Sequence, residues 1–285
     1  MDKNNELPKF DLPIDFVVTD EITGELLNQY GRFPCKIKAG LFIFCTKGYV
    51  KAKINFNDCE VKENTFITLL PNSFIQVKSV SNDVHLYVVG FSGTFISKND
   101  YQFKSIFGLT SIFIIRNPVL PLPSKAQVAI EHLYEHLLNL CFLYDISENR
   151  NTIHAVFTIF LETTAQLYKK LYSEKEKEVS REDELYRKFI FLLMENYTKE
   201  HNVFFYAEKC DVTLQYFCTA IKKASKHTPF EIIASFLIMN AKDLLKTTSS
   251  SIKEISDQLG FINQSYFNRF FKRHVGITPL QYRKN

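Results

Sequence analysis

Residues 251–283 read SIKEISDQLGFINQSYFNRFFKRHVGITPLQYR, and this stretch decides the fold of the C-terminal part of the chain. Its pattern predicts two short helices around a turn at Gly260, because a glycine adopts the left-handed conformation that ends a helix without a steric penalty. Three phenylalanines of the second helix, Phe267, Phe270 and Phe271, recur at the i, i+3, i+4 spacing of one apolar face. The stretch therefore predicts a helix-turn-helix whose second helix is held by that face.

The other face of this second helix is polar and basic. Asn263 stands where it can cap the helix, so the helix is expected to begin at the next residue. The side chains that follow can pair with base edges and phosphates, and a helix-turn-helix that places its second helix in a major groove needs this division of faces. The residues on this face are Gln264, Ser265, Asn268, Arg269 and Lys272.

Three sequence blocks carry a resemblance to a known family. They read IKEISDQLGF (252–261), SYFNRFFK (265–272) and GITPLQYR (276–283), in this order. Together they resemble the C-terminal signature of the AraC/XylS family of bacterial transcription regulators, and the resemblance extends over about Lys188 to Arg283. It implies two helix-turn-helix units joined by a linker helix and preceded by a cupin-like barrel. A small helical domain without a nucleic-acid role is the alternative.

A more divergent copy of the same pattern precedes this stretch in the chain; it is called the first copy here, and residues 251–283 contain the second copy. Five residues of the first copy match residues 50 positions later. Asp211 matches Gly260 at an offset of 49, so the turn of the second copy holds one extra residue. Asp tolerates the left-handed conformation better than most residues, and Thr213 is placed to cap the helix that follows. Residues 230–245 are expected to form the linker helix. The five matched residues are Tyr216, Phe217, Lys222, Thr228 and Pro229.

The two copies differ where a DNA-binding helix would meet the bases. The first copy has Thr219 where the second has Arg269. An arginine can form two hydrogen bonds with a guanine, whereas a threonine cannot. We therefore expect the second copy to dominate specificity, with Arg269 and Gln264 at base edges and Ser265 and Asn268 assisting. The outward residues of the first copy are Thr213, Gln215, Cys218, Thr219 and Lys222. The phosphate candidates are Lys222, Lys223, Lys272 and Arg273. The first copy also has Lys226 in the place of Gly276.

Charge is unevenly distributed along the chain, whose formal net charge is +4. Residues 1–180 carry 19 Lys and Arg against 20 Asp and Glu, a balance of −1. Residues 181–285 carry 16 against 11, a balance of +5. The excess positive charge thus lies with the two helix-turn-helix patterns, as a polyanionic partner requires.

The first half of the chain has the pattern of β-structure from Gly40 to about Ile115. Val50, Ala52 and Ile54 alternate with polar residues, which is typical of a strand with one solvent-facing side. Further apolar runs, separated by turn residues, predict an antiparallel sandwich or open barrel. The family resemblance implies the same architecture, in its cupin-like form. The runs are 41–45, 65–70, 74–80 and 85–91.

The interior of this barrel is the expected effector site. The chain has 27 Phe and 14 Tyr, and a pocket lined by aromatic and aliphatic side chains suits an apolar or aromatic small molecule. The alternative is that these side chains only fill the barrel. Cupins that bind metal use clustered histidines, and this region has only His85, so no metal site and no cofactor are predicted.

Two amphipathic helices are predicted after the barrel. The first has Ser124 as its N-cap, and the second spans residues 151–172. The resemblance implies that such helices form a homodimer; the alternative is that they pack against their own barrel. His132 and His136 in the first helix fit the zinc-peptidase pattern H-x-x-E-H, but no third ligand is evident, so the match is attributed to chance.

These expectations describe an α+β chain of two domains. Residues 1–172 form a cupin-like effector-binding and dimerisation domain (sheet 1–120, helices 124–172), 173–183 a polar linker and 184–285 the DNA-binding domain. We expect a sequence-specific transcription regulator without enzymatic activity that binds double-stranded DNA and acts with RNA polymerase. It is expected to be an activator controlled by a small molecule. The alternatives are a regulator controlled by a protein partner and a cupin-type enzyme.

Composition and the N-terminal sequence bear on the compartment. The first residues, MDKNNELPKFDLP, contain no apolar core of a signal peptide, and no apolar run reaches the length of a membrane span. The six cysteines show no Cys-x-x-Cys spacing and are expected to be reduced thiols. We therefore expect a bacterial cytoplasmic, nucleoid-associated protein with no membrane partner.

Overall fold

A computed structural model describes seven stretches of the chain, which form two compact units. One unit contains residues 37–173 and the described residues before position 32, and the other contains residues 33–36 and 180–284. The centre of the predicted linker 173–183 lies outside the described residues, as does the start of the predicted domain 1–172. The described residues are 12, 14–31, 33–55, 57–107, 110–144, 149–173 and 180–284.

The predicted α+β fold class, with antiparallel sheets before a helical C-terminal part, is confirmed. The strands found in the described residues are β1 (Phe16–Thr19), β2 (Cys35–Ile37), β3 (Gly40–Lys47), β4 (Tyr49–Ile54), β5 (Asn57–Lys62), β6 (Thr65–Leu69), β7 (Ser73–Val80), β8 (His85–Phe91) and β9 (Val119–Pro121). A short helix, α1 (Gly24–Gly31), follows β1. The strands pair in a five-stranded sheet, β1-β8-β3-β6-β9, and a four-stranded sheet, β2-β7-β4-β5.

The predicted alternation along β4 is confirmed. Val50, Ala52 and Ile54 are buried, whereas Lys51 is exposed. Successive side chains of a strand point to opposite faces, so the buried set faces one core and the lysine faces solvent. The buried residues join Cys45, Ile67 and Val88 of the five-stranded sheet in one aliphatic core. The two sheets therefore form a sandwich with an aliphatic interior.

The aromatic side chains lie on the other side of the five-stranded sheet. In β3, Ile43 and Cys45 belong to the aliphatic core, whereas Phe42 packs 5.3 Å from the ring of Phe160. The Tyr134 hydroxyl donates a hydrogen bond to the carbonyl oxygen of Phe42 at 2.8 Å. Of the predicted aromatic and aliphatic lining, this core thus contains the aliphatic part, whereas these rings cover the opposite face of the sheet, where helices lie.

Three short helices occupy residues 93–116, so the predicted continuation of strands to Ile115 is wrong. They are α2 (Gly93–Lys98), α3 (Asp100–Phe107) and α4 (Thr110–Arg116). Ser92 begins the first of them by accepting a hydrogen bond from the N–H of Phe95 at 3.0 Å. Short apolar runs such as FIIR cannot be assigned to strand or helix by periodicity alone, which explains the error.

Two long helices cover the aromatic face. α5 (Ser124–Leu143) begins after Pro123, which occupies the N-cap without a side-chain hydrogen bond, so the predicted cap at Ser124 is wrong. α6 (Arg150–Ser173) buries its broad apolar face, including Phe157 and Phe160, within its own unit. Burial of this face favours the alternative that α6 packs against its own barrel.

The paired histidines of the H-x-x-E-H match lie on the solvent side of α5. His132 and His136 are both exposed. No group of three or more metal-ligating side chains comes together among the described residues.

The C-terminal unit is helical. Its helices are α7 (Arg181–Asn196), α8 (Val203–Lys209), α9 (Leu214–Ser225), α10 (Pro229–Thr247), α11 (Ile252–Gln258), α12 (Gln264–Val275) and α13 (Pro279–Lys284). α8 with α9, and α11 with α12, occupy the two predicted helix-turn-helix positions. Across the stretches described, none of the helices has the length and apolar character needed to cross a membrane.

Candidate nucleic-acid interface

The first helix-turn-helix follows the sequence prediction in its turn and its cap. Asp211 lies in the turn between α8 and α9 with a φ of 58°, in the left-handed region. Thr213 caps α9 by accepting a hydrogen bond from the N–H of Tyr216 at 3.3 Å. Phe217 and Ile221 are fully buried and anchor α9 in the unit. The opposite face of α9 is left to solvent.

The second helix-turn-helix has the same construction with better-suited residues. Gly260 has a φ of 73°, and Asn263 caps α12 by accepting from the N–H of Tyr266 at 2.8 Å. Phe267 and Phe271 are fully buried. The predicted cap and left-handed glycine are therefore confirmed.

The extra residue of the second turn is also present in the structure. α8 ends at Lys209 and α11 at Gln258, 49 positions later, whereas α9 begins at Leu214 and α12 at Gln264, 50 positions later. The inserted residue is Ile262, which precedes the N-cap of α12 and is 92% exposed. The second turn thus exposes an apolar side chain to solvent next to the N-terminus of α12.

A single helix joins the two copies. α10 has 19 residues, longer than the predicted 230–245, and at about 1.5 Å per residue it spans about 28 Å. Thr228 and Glu231 form a capping box at its start, and hydrogen bonds from Thr228 lower the pKa of the Glu231 carboxyl. Phe236 and Leu237 are buried, so α10 belongs to the core of the unit.

The C-terminal block GITPLQYR has a structural role around this helix. The Tyr282 ring packs 5.6 Å from the ring of Phe271 in α12. The guanidinium of Arg283 donates to the carbonyl oxygens of Leu245 at 3.3 Å and Ser250 at 2.6 Å. A helix leaves its last carbonyl groups without partners. Arg283 therefore secures the end of α10 and the segment that leads into α11.

The face of α12 that points away from the core holds the predicted second-copy residues. Gln264, Ser265, Arg269, Lys272 and Arg273 are exposed, and Asn268 is partly buried. α12 contains no acidic residue, and in the part of the chain that the structure describes no carboxylate pairs with its three cationic side chains. This face can therefore donate hydrogen bonds to, and attract, a polyanion.

The side chains on the corresponding face of α9 make more contacts within the protein. Gln215, Thr219, Lys222 and Lys223 are exposed, and Cys218 is partly buried. The Thr219 hydroxyl donates to the carbonyl oxygen of Gln215 at 2.9 Å, and the Lys223 ammonium lies 2.7 Å from a carboxylate oxygen of Glu182. The contact with Lys223 lowers the pKa of the Glu182 carboxyl. The Thr213 hydroxyl is also engaged within the protein, because it accepts the capping hydrogen bond from the N–H of Tyr216.

Sequence reasoning missed some features of this surface. Phe270 was assigned to the buried face, but it is only partly buried and packs 5.2 Å from the Phe261 ring. Tyr216 and Tyr266, which are 37% and 49% exposed, stand at equivalent positions next to the outward faces. Their shared place in the repeat was a signal that they lie on the same side of the two helices.

Comparisons with known proteins find a helix-turn-helix domain in this part of the chain. The family model described as "Helix-turn-helix domain" matches residues 206–285. The chain is 28% identical over 141 residues to the uncharacterized HTH-type transcriptional regulator YdiP of Escherichia coli K12, covering 48% of this chain and 46% of that protein. It is 26% identical over 93 residues to the raffinose operon transcriptional regulatory protein RafR of Pediococcus pentosaceus, covering 33% and 34%. The matches thus span less than half the length of these two relatives.

A solved structure is also similar to the C-terminal part. The C-terminal domain of the two-component response regulator yesN from Fusobacterium nucleatum has 31% sequence identity and a TM-score of 0.34, covering 36% of this chain and 99% of that one. The family match covers the first helix-turn-helix from within α8 onward, the linker helix and the whole second copy. Through residues 206–285 the chain thus has a helix-turn-helix domain of the AraC type.

Proposed function

We propose that the chain is a sequence-specific DNA-binding transcription regulator whose second helix-turn-helix supplies most of the specificity. The observation that carries this proposal is the outward face of α12. It exposes Arg269, Lys272 and Arg273 without a paired carboxylate among the described residues, on a helix whose other face is fixed by Phe267 and Phe271. A rigid helix with free donors is what reading base edges requires.

The proposed roles follow from side-chain chemistry. Arg269 and Gln264 read base edges, because arginine pairs with guanine and glutamine with adenine through two hydrogen bonds. Ser265 and Asn268 assist them. Cationic side chains contact phosphates and position the helix. These phosphate-contacting residues are Lys222, Lys223, Lys272 and Arg273.

In the first copy the proposed contacts are weaker. Gln215 and Cys218 would approach the DNA, whereas the Thr213 and Thr219 hydroxyls already make hydrogen bonds within the protein. Lys223 would have to leave Glu182 to reach a phosphate. The first copy therefore contributes chiefly to affinity, and the second to sequence preference.

The proposed regulator is an activator that responds to an apolar or aromatic small molecule bound in the N-terminal domain. This choice of ligand rests on the chemistry of the aromatic layer between the five-stranded sheet and α5 and α6. Rings such as Tyr87 and Tyr134 pack against each other there with centroids 5.6 Å apart, so a ligand would enter by separating them. The open groove of ≈ 690 Å³ beside Thr46, Glu63 and His85 is lined mostly by polar and charged residues, so it suits such a ligand less well.

We further propose a homodimer that acts with RNA polymerase on promoter DNA in the bacterial cytoplasm, at the nucleoid. Because α6 buries its apolar face in its own unit, the dimer contact is assigned to the end of α5. There Phe142 is 90% exposed, and Leu143 and Tyr144 are also exposed. Such a run of large apolar side chains is typical of a surface that another chain covers.

The test is fluorescence anisotropy with the full chain. The probes are a duplex from upstream of its own coding sequence and a scrambled duplex of the same composition, across roughly 50 to 200 mM salt. We expect tighter binding to the upstream duplex and a steep fall in affinity with salt. The variant carrying Arg269→Ala and Lys272→Ala should lose the preference for the upstream duplex and show a shallower fall of affinity with salt.

The charge-matched control carries Lys169→Ala and Lys170→Ala, which remove two exposed lysines of α6 in the N-terminal unit. It should bind like the parent. Equal loss in both double variants would mean that the positive charge of the chain acts without a recognition helix. Absence of binding at low salt would overturn the proposal.

A further inference from the structure

The turn of the second helix-turn-helix lies against a loop of the first half of the unit. This loop, residues 198–201, connects α7 to α8. A Cβ atom placed on Gly260 would collide with the carbonyl oxygen of Thr198 and lie 3.5 Å from Nε2 of His201. The backbone of the turn therefore approaches the loop so closely that only a glycine fits there.

His201 contacts the residues on both sides of Gly260. Its Nε2 lies 2.8 Å from the carbonyl oxygen of Leu259, and because a carbonyl can only accept, this nitrogen carries the proton and donates. The imidazole ring meets the Phe261 ring edge-on, with centroids 4.9 Å apart and planes at 62°. Leu259 and Phe261 are both buried. One side chain thus holds the turn by a hydrogen bond and by packing.

Among the described residues, the equivalent turn of the first copy has no such support. Asp211 takes the place of Gly260, and its side chain is 92% exposed, with Lys188 at 3.6 Å as an ion-pair partner. The close approach of a loop is thus a feature of the second turn and not of the repeat itself. This difference argues for a function beyond the folding of a single helix-turn-helix.

We propose that Thr198 and His201, packed against residues 259–261, form a turn clamp that fixes α12 relative to the first copy, and that His201 is a positioning residue for reading two DNA boxes at one spacing. Without the clamp, the described residues would join the copies through α10, the non-helical residues 248–251 that lead into α11, and the contacts of Arg283 with this segment. Rotation there would move α12 along the DNA. The clamp, together with Arg283, prevents that rotation.

This inference rests on the proposed DNA binding, and the experiment separates the two. The full chain first selects duplexes from a randomised pool. The selected duplex is then resynthesised with one base pair added or removed between its two boxes, and as a duplex with only the box of the second copy. Affinity for each is measured by anisotropy for the parent, His201→Ala, His201→Gln and the control His227→Ala. His227 is another histidine of the same unit, exposed and outside the clamp.

We expect the parent and His227→Ala to bind the altered spacings about tenfold more weakly than the selected one, in line with a fixed separation. His201→Ala should bind all spacings within about threefold of each other, while its affinity for the single-box duplex stays at the parental value. His201→Gln should recover part of the spacing preference, because glutamine also offers an N–H donor.

Parental spacing preference in His201→Ala would overturn the inference. So would selection of duplexes with only one box, although it would leave DNA binding intact. Failure of the parent to select any sequence would instead contradict the proposed function. If His201→Ala does not fold, His201→Gln decides: because it removes the ring contact with Phe261, its spacing preference must be broader than that of His227→Ala.

Discussion

The two helix-turn-helix copies share their framework and differ in their outward residues and in what supports the turn. In both, a left-handed residue ends the first helix, a polar side chain caps the second, and buried aromatic residues anchor it. In the second copy the left-handed positions are Gly260 and Gly276, whereas the first copy uses Asp211 and Lys226. The second copy is therefore the less strained of the two, and it also carries Arg269 in the place of Thr219.

The difference teaches that framework and recognition are separable on this fold. The caps and anchors act on the backbone of the helix, so the first copy keeps its shape although its outward side chains have contacts within the protein. The outward side chains act only on a partner, so they can change without changing the fold. The predictions below test each part of this separation.

The largest effect is expected from the tight turn of the second copy. Gly260→Ala should lower the free energy of unfolding by about 3 kcal/mol or more, because it adds a collision with Thr198 to the cost of the left-handed backbone. Gly276→Ala is the matched control. It has a φ of 89° but no atom within 4 Å of the added Cβ, so it should cost only about 1 kcal/mol. Urea unfolding of the full chain measures both, and equal losses would mean that the turn is not tightly packed.

The next effect concerns phosphate contacts. Lys272→Ala should reduce the slope of log affinity against log salt by about 0.9 and weaken binding to every sequence. Lys223→Ala should change the slope less, since Lys223 pairs with Glu182 in the free protein. Anisotropy titrations over a salt series compare the two variants. A larger change in slope for Lys223→Ala than for Lys272→Ala would contradict the expectation that Lys272 is the stronger phosphate contact.

A smaller effect is expected where the first copy departs from glycine. Lys226 ends α9 with a φ of 67°, and a lysine in that conformation is strained, whereas glycine is not. Lys226→Gly should therefore raise the free energy of unfolding by about 0.5 kcal/mol, the gain being reduced by the greater freedom of glycine in the unfolded chain. Thermal and urea unfolding measure it. A loss of stability would show that the Lys226 side chain makes contacts that outweigh the strain.

The smallest expected effect is a pH dependence through His201. Burial lowers the pKa of its imidazole below the ordinary value of 6.5, against the opposing influence of the Leu259 carbonyl and Glu200. The unfolded chain then binds the proton more readily than the folded one. The stability that the neutral, buried imidazole contributes is therefore present above pH 6.5 and is lost as the pH falls toward the folded pKa. Unfolding at pH 7.5 and pH 5.5 should show a larger fall for the parent than for His201→Gln. An equal fall would mean that other groups cause it.

Much of the C-terminal unit could be predicted because its signals are local. Caps, left-handed residues and helical spacing involve residues three or four positions apart, and the 50-residue repeat gives each signal twice. Contacts between distant residues gave no such signal. His201 and Leu259 lie 58 positions apart, and Gly260 could be recognised as a turn but not as a site of close packing.

The N-terminal unit was harder to predict for the same reason. The bounds of β8 follow from its apolar run, whereas β1, β2 and β9 are short strands whose partners lie far away in the chain. The division of β3 into an aliphatic and an aromatic face depends on which layer covers each side. Helices α2 to α4 consist of short apolar runs that fit either structure.

The central claim is that α12 supplies most of the sequence preference and α9 little of it, and it is tested most directly by comparing Arg269→Ala with Thr219→Ala. Both variants are measured by anisotropy on the selected duplex and a scrambled one. Arg269→Ala should reduce the ratio of the two affinities by roughly 10- to 100-fold, since a bidentate arginine supplies about 1–3 kcal/mol of discrimination. Thr219→Ala should leave the ratio within about twofold of the parent. An unchanged ratio in Arg269→Ala, or a larger loss in Thr219→Ala, would contradict the claim.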